Sequence, residues 1–197
     1  MITRNAYILT TNVVSDRAQF SKTILETIGF NVRLIACIPN NNKVLSNKIS
    51  MQYIYKLILE SGDDYAYVFE DDINCLETIY LDEIIKYEQY SPIFFYLGIC
   101  ENNNKNSKYT NIIINNHPVY SKSGNVRGLH AVGISKKGAE ELLDFSKKTN
   151  EDYMDIILEE FSIKYPANIV RYDLSSYIKG HRGIIFQDRE RFPSVIS

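Results

Sequence analysis

The sequence predicts an α/β fold, with a mostly parallel central sheet flanked by helices. Three observations predict it. The first 72 residues alternate short apolar runs with segments of helical periodicity, in the order strand, helix, strand, helix, strand. Turn-forming residues stand between these segments: Gly29, Pro39 with Asn40 to Asn42, and Gly62-Asp63-Asp64. The chain also has 197 residues, 45% of them hydrophobic. A domain of that size buries about 70% of its unfolded surface and folds without metal or disulfide staples. No repeat or linker interrupts it, so residues 1–197 are expected to form a single domain.

Each element has its own signal. Residues 6–9 are a short apolar run, read as a buried strand, and Thr10-Thr11-Asn12 follow as a polar turn. Ser15 is the expected N-cap of a helix in which Phe20, Ile24, Leu25 and Ile28 share a face, and Gly29 ends it. Residues 32–37 form the second strand. Ser46 is expected to open a second helix, with Ile49, Tyr53, Leu57 and Ile58 along one side. Residues 65–69 form a third strand that runs straight into Glu70-Asp71-Asp72. The second half is less regular. A helix is expected over 81–90, a strand over 93–97 ending at Gly98, and an Asn-rich loop over 101–111. A hairpin follows (112–114 with 118–120), then a strand over 129–135, helices over 136–147 and 151–161, and a strand over 169–172. From Tyr177 on, glycines and charges leave no clear pattern.

Composition excludes several classes. A net charge of −2 argues against a general nucleic-acid binder. No apolar run approaches the length of a membrane span, and the N-terminus has no signal-peptide pattern. Cys37, Cys75 and Cys100 are sparse and lack metal-ligand spacing, which points to reduced thiols in a cytoplasmic setting. The Ile, Asn, Lys and Tyr bias suggests an AT-rich genome, and the cytoplasm would be a host's if the source is viral. Charge is uneven: residues 1–100 carry a net −4 and residues 101–197 a net +2. An acidic first half and a basic end suit a metal with an anionic ligand; the competing reading is two ordinary solvated surfaces.

Glu70-Asp71-Asp72 is the strongest local signal. Three adjacent carboxylates repel one another unless a cation is near. In an extended segment Glu70 and Asp72 point to one side and Asp71 to the other. Such oxygen ligands suit Mg²⁺ or Mn²⁺ shared with a substrate's phosphates. In open α/β sheets, ligands bind beyond the carboxyl ends of the strands, where this triplet stands. The competing reading is a solvated acidic turn.

The stretch Tyr67-Val68-Phe69-Glu70-Asp71-Asp72-Ile73 resembles the acidic signature of family 25 glycosyltransferases, which include lipopolysaccharide-type sugar transferases and collagen galactosyltransferases. Further segments are similar in the same order. They are the helix from Asp16-Arg17 to Gly29, the Leu45-Ser46 helix, the block from Gly128-Leu129-His130-Ala131 to Gly138-Ala139, Asp155 with Leu158, and the ending Gly183 to Gln187 with Ser194-Val195-Ile196. Val132-Gly133 departs from the family's aromatic after His-Ala, the first loop has Thr-Thr-Asn for Asn-Leu, and the chain is short.

The resemblance implies a GT-A fold and transfer of a sugar from a UDP- or GDP-sugar to a glycan or protein-linked acceptor, with inversion. It implies Asp72 as a ligand of Mn²⁺ or Mg²⁺, completed by the late His181. Glu70 and Asp71 would contact the metal through water or hold the ribose and sugar. Lys179 and Arg182 would hold the diphosphate, and Thr10, Thr11, Asn12 and Arg17 the nucleoside end of the donor. Asp155 is the first choice of general base, Asp152 the second and Asp188 the third. Each has a plainer reading: a basic turn around His181, a helix-start acid at Asp155, a core histidine at His130. The alternative function is a catalytically silent glycosyltransferase-like binding module.

Overall fold

The computed structural model describes residues 3–101, 107–114, 116–124, 126–170 and 181–193. The chain opens with β1 (Asn5–Thr10), α1 (Asp16–Ile28), β2 (Asn31–Ala36), α2 (Lys43–Ser61) and β3 (Tyr65–Glu70). β4 (Ile73–Cys75), α3 (Leu81–Ile85), a 3₁₀ turn and β5 (Phe94–Glu101) follow. Then come β6 (Ser107–Ile114), β7 (His117–Lys122), β8 (Val126–Ser135), α4 (Lys136–Lys148), α5 (Met154–Lys164) and β9 (Ala167–Val170). β10 (His181–Gly183) and β11 (Ile185–Gln187) close the described chain.

The main sheet runs β2-β1-β3-β8-β5-β9-β7-β6, with β10 paired to β5; β4 and β11 form a separate two-stranded ribbon. The α/β class holds. The expected parallel pairing holds where the strand–helix alternation predicts it, in β2-β1-β3. From β8 onward the sheet is mixed: β8 is antiparallel to both β3 and β5, and only β9 lies parallel to β5. Parallel crossovers need an intervening helix, and the short connections among β5 to β8 do not supply one.

Helix boundaries follow side-chain chemistry. The Ser15 hydroxyl accepts the Ala18 amide and starts α1; Gly29 ends it at φ 114°, a conformation that suits glycine. The second helix starts earlier than expected. The Asn42 side chain accepts the Val44 and Leu45 amides, while the Ser46 hydroxyl turns to the Ile38 carbonyl. Its buried face is correspondingly Met51, Ile54, Tyr55 and Ile58, and Tyr53 is exposed. The 81–90 helix is shorter than expected, and the 101–111 region includes the start of β6.

Alternation along the strands divides the core into two layers. Tyr7, Val68, Tyr96 and Val132 pack with Ile54, Leu142 and Ile157 under α2, α4 and α5. Ile8, Tyr67, Phe69 and Phe95 pack with Leu25, Ile28 and Ile84 under α1 and α3. Gly133 serves this second layer: a Cβ there would lie 2.7 Å from the Phe95 ring. Among the described residues, no helix is long and apolar enough to cross a membrane.

Candidate functional site

The parallel register of β1 and β3 sets Leu9 beside Glu70, so both strands end at one place. There the Thr10 hydroxyl donates to Asp71. In the first turn of α1, Arg17 reaches back with its guanidinium 2.8 Å from Asp71 and 3.3 Å from Asp72. Ser15 fixes where α1 starts, and so fixes Arg17 over the carboxylates. The same helix anchors the acidic turn, because the Ile73 amide donates to Ser21 Oγ at 3.2 Å.

The C-terminal segment closes the other side. β11 pairs antiparallel with β4 and places Gln187 opposite Ile73. The Gln187 amide donates to Glu70, and to Asp72 at 3.4 Å. Its own carbonyl accepts from Arg189 at 3.0 Å. The Asp188 amide donates to the Asp72 carbonyl at 2.7 Å, and Asn74 donates to the Asp188 carboxylate at 3.0 Å. Glu70 and Asp72 thus share Gln187 while Asp71 turns to Thr10, as strand alternation requires.

Burial and crowding set the charges. Burial, with the charges of Asp72 and Asp155 beside it, pushes the Glu70 carboxyl up to about 8 against the opposing pull of Arg189. Burial also raises Asp72, with Arg17 opposing. Asp155, at the start of α5, is raised by burial, while the Gly128 and Leu129 amides and Arg127 pull it down. Burial pushes the Cys75 and Cys100 thiols up to about 12, so neither is a nucleophile at neutral pH.

The field at Glu70 therefore gathers Asp71, Asp72, Asp155 and Arg189, with Arg17 on the two aspartates. Arg17 and Arg189 oppose these carboxylates, and the carboxylate oxygens of the turn are hard donors. That donor chemistry fits Mg²⁺ or Mn²⁺. In this conformation Arg17 and Gln187 lie against the carboxylates, and among the described residues no group of three or more His, Cys, Asp or Glu is arranged around a metal position.

The other expected residues fall as follows. Asp155 acts on Glu70 by its charge from the start of α5. Asp152 instead pairs with Lys48 at 3.1 Å, and its side chain is 45% exposed. Asp188 lies at the site, held by Asn74 and by the Arg191 amide. Thr10 touches the cluster. Thr11 and Asn12 are exposed, and the Asn12 side chain accepts the Val14 amide instead. Lys179 lies outside the described residues. His181 and Arg182 are described through their backbone, which sets them opposite Cys100 and Ile99 at the end of β5. His130 is fully buried in β8, 3.9 Å from Cys100 Sγ, in keeping with a core role. Sequence reasoning missed Ser21 and Arg189 and gave Gln187 no role. Gln187 had a signal in the family-like ending; Arg189, two residues on, had only its charge.

No family profile matches the chain, and no curated protein matches it in sequence. Solved structures do resemble it. A UDP-glucose pyrophosphorylase solved in complex with UDP-glucose superposes with a TM-score of 0.53 at 8% identity, over 86% of this chain and 90% of that one. The protein A197 from STIV gives a TM-score of 0.47 at 13% identity, over 87% of this chain and 82% of that one. At these identities the first likeness speaks to the fold: a mixed α/β sheet flanked by helices, shared with a nucleotide-sugar-processing enzyme.

Proposed function

We propose that this chain is a metal-dependent glycosyltransferase, similar to family 25, that moves a sugar from a UDP- or GDP-sugar to a hydroxyl of a glycan or protein-linked acceptor with inversion. One observation carries this reading. Four segments distant in sequence deliver Glu70 to Asp72, Arg17, Asp155, and Gln187 with Arg189 to one place at the carboxyl ends of β1 and β3. A solvated acidic turn needs no such convergence. The likeness to a UDP-glucose-bound pyrophosphorylase supports a nucleotide-sugar partner.

Glu70 and Asp72 are the carboxylates to hold Mn²⁺ or Mg²⁺, with His181 assigned by the family resemblance. When bound, the cation stabilises charge on the departing nucleoside diphosphate. Arg189 is a guanidinium for the diphosphate, whose planar fork suits phosphate, and Arg17 serves the nucleoside end of the donor. The resemblance adds Lys179 and Arg182 to that role. Thr10 fixes Asp71, and with Thr11 and Asn12 offers hydroxyl and amide partners to the ribose. Asp155 takes the proton of the acceptor hydroxyl. Its raised affinity for protons brings it nearer the operating pH, where a general base is most effective.

A second reading, transfer of a nucleotidyl group, draws on the same fold likeness. Product analysis with a panel of nucleotide-sugars, saccharide acceptors and Mn²⁺ separates them. Glycosyl transfer yields free nucleoside diphosphate and a glycoside of inverted configuration. Release of nucleoside triphosphate on adding pyrophosphate would establish nucleotidyl transfer instead. Donor binding with no product under either condition would establish the silent binding module. Within the first reading, Asp155→Asn should lower kcat by about 10²–10⁴-fold and leave donor Kd nearly unchanged. Asp152→Asn should leave kcat near wild type, since Lys48 holds that carboxylate elsewhere.

A further inference from the structure

Tyr96 stands in the middle of β5 and is fully buried, yet its hydroxyl has no hydrogen-bond partner among the described residues. Buried phenols usually find one. A second buried polar atom, Asp155 Oδ1, is likewise without a partner. The two belong together by placement. Tyr96 packs in the same core layer as Met154, Ile157 and Leu158, which surround Asp155 in sequence on α5. Asp155 is also the strongest charge acting on the Tyr96 hydroxyl, ahead of Tyr55 and Glu159. The same carboxylate also acts by its charge on Glu70 and Cys100.

We propose that Tyr96 is a positioning residue for Asp155: its hydroxyl reaches the Asp155 carboxylate through one buried water, and so holds it toward the acceptor. A phenol has one proton to donate, and Asp155 is the carboxylate with the strongest pull on it. The Gly128 and Leu129 amides address the same carboxylate from β8, so the phenol supplies a second side and a single orientation. A base held in one orientation spends less of its time misaligned with the acceptor hydroxyl. This inference rests on the reading of Asp155 as general base.

Tyr96→Phe is the isosteric test, compared with Asp155→Asn and the double variant. We expect Tyr96→Phe to lose about tenfold in kcat, the rate equivalent of one hydrogen bond to a charged group, with donor Kd unchanged. The double variant should be no slower than Asp155→Asn alone, because both act through one group. Wild-type kcat in Tyr96→Phe, alongside a disabled Asp155→Asn, overturns the positioning role and leaves the base standing. A full-rate Asp155→Asn overturns the base reading and this one with it. A melting-temperature cycle reads the contact without activity. Tyr96→Phe should lower the melting temperature in the wild-type background and not in Asp155→Ala, and equal shifts in both backgrounds overturn the contact.

Discussion

The segment from β1 to Glu70 and the segment from β10 to Arg189 build the same site by opposite means. The first is local. Its helices are capped by neighbouring side chains, its strands pair in parallel with near relatives, and its apolar spacing shows every element. The second has almost no local character. β10 pairs with β5 at Cys100 and Ile99, and β11 pairs with β4 at Cys75 to Ile73, so each short strand depends on partners far upstream. The first segment concentrates negative charge; the second lays an amide and a guanidinium over it. Charge can be gathered by a strand end alone, but aiming it takes contacts that close late in the chain.

That contrast can be broken from either side. The largest effect is expected at Arg17, the cation that the first segment supplies to its own carboxylates. Arg17→Met leaves the buried Asp71 and Asp72 without it, and removing one partner of a buried pair costs about 3–5 kcal/mol. Denaturant unfolding should show this loss, and added Mn²⁺ should restore part of it. The next effect tests the late segment. A Cβ on Gly98 would lie 1.8 Å from the Ile185 carbonyl oxygen, so Gly98→Ala pushes β11 and Gln187 away. Overpacking of this kind costs about 1–3 kcal/mol. Hydrogen exchange should rise over residues 181–188 and stay unchanged over β1 and β2; a uniform rise would mean that the two segments are not separable. The smallest effect is in pH. Glu70 holds its proton more tightly folded than unfolded, so its contribution to stability is full below about 4.5 and is lost as pH rises through about 8. The metal-free protein should therefore melt at lower temperature at pH 8.5 than at pH 6, and Glu70→Gln should flatten that dependence.

The two segments also differ in how much their residues disclose. Ser15, Phe20, Leu25 and Gly29 announce α1 because helix caps and apolar spacing act over a few residues. Ser46 misled for a related reason: Asn42 offers the same capping chemistry four residues earlier, and Ser46 is used to tie the helix to Ile38. The acidic turn was legible because three carboxylates in a row demand a cation. Asp155 came from the family-like pattern, and its effect on Glu70 could not come from spacing, since α5 is brought there by its packing on β8, α4 and α2. Gln187 and Arg189 act through β11, whose three residues carry no periodicity and whose partner strand lies more than a hundred residues away. The antiparallel turn of the sheet at β8 was equally hidden, because strand order depends on connections rather than on strand composition.

We propose that both segments form one nucleotide-sugar site around a divalent cation. Calorimetric titration of UDP- and GDP-sugars into the protein, with and without Mn²⁺, tests it most directly, in wild type, Asp72→Asn and Gln187→Ala. We expect a donor to bind the wild type only with Mn²⁺, to lose binding in Asp72→Asn and to bind more weakly in Gln187→Ala. Equal donor affinity in wild type and Asp72→Asn, or no binding by any donor with or without the metal, would contradict it.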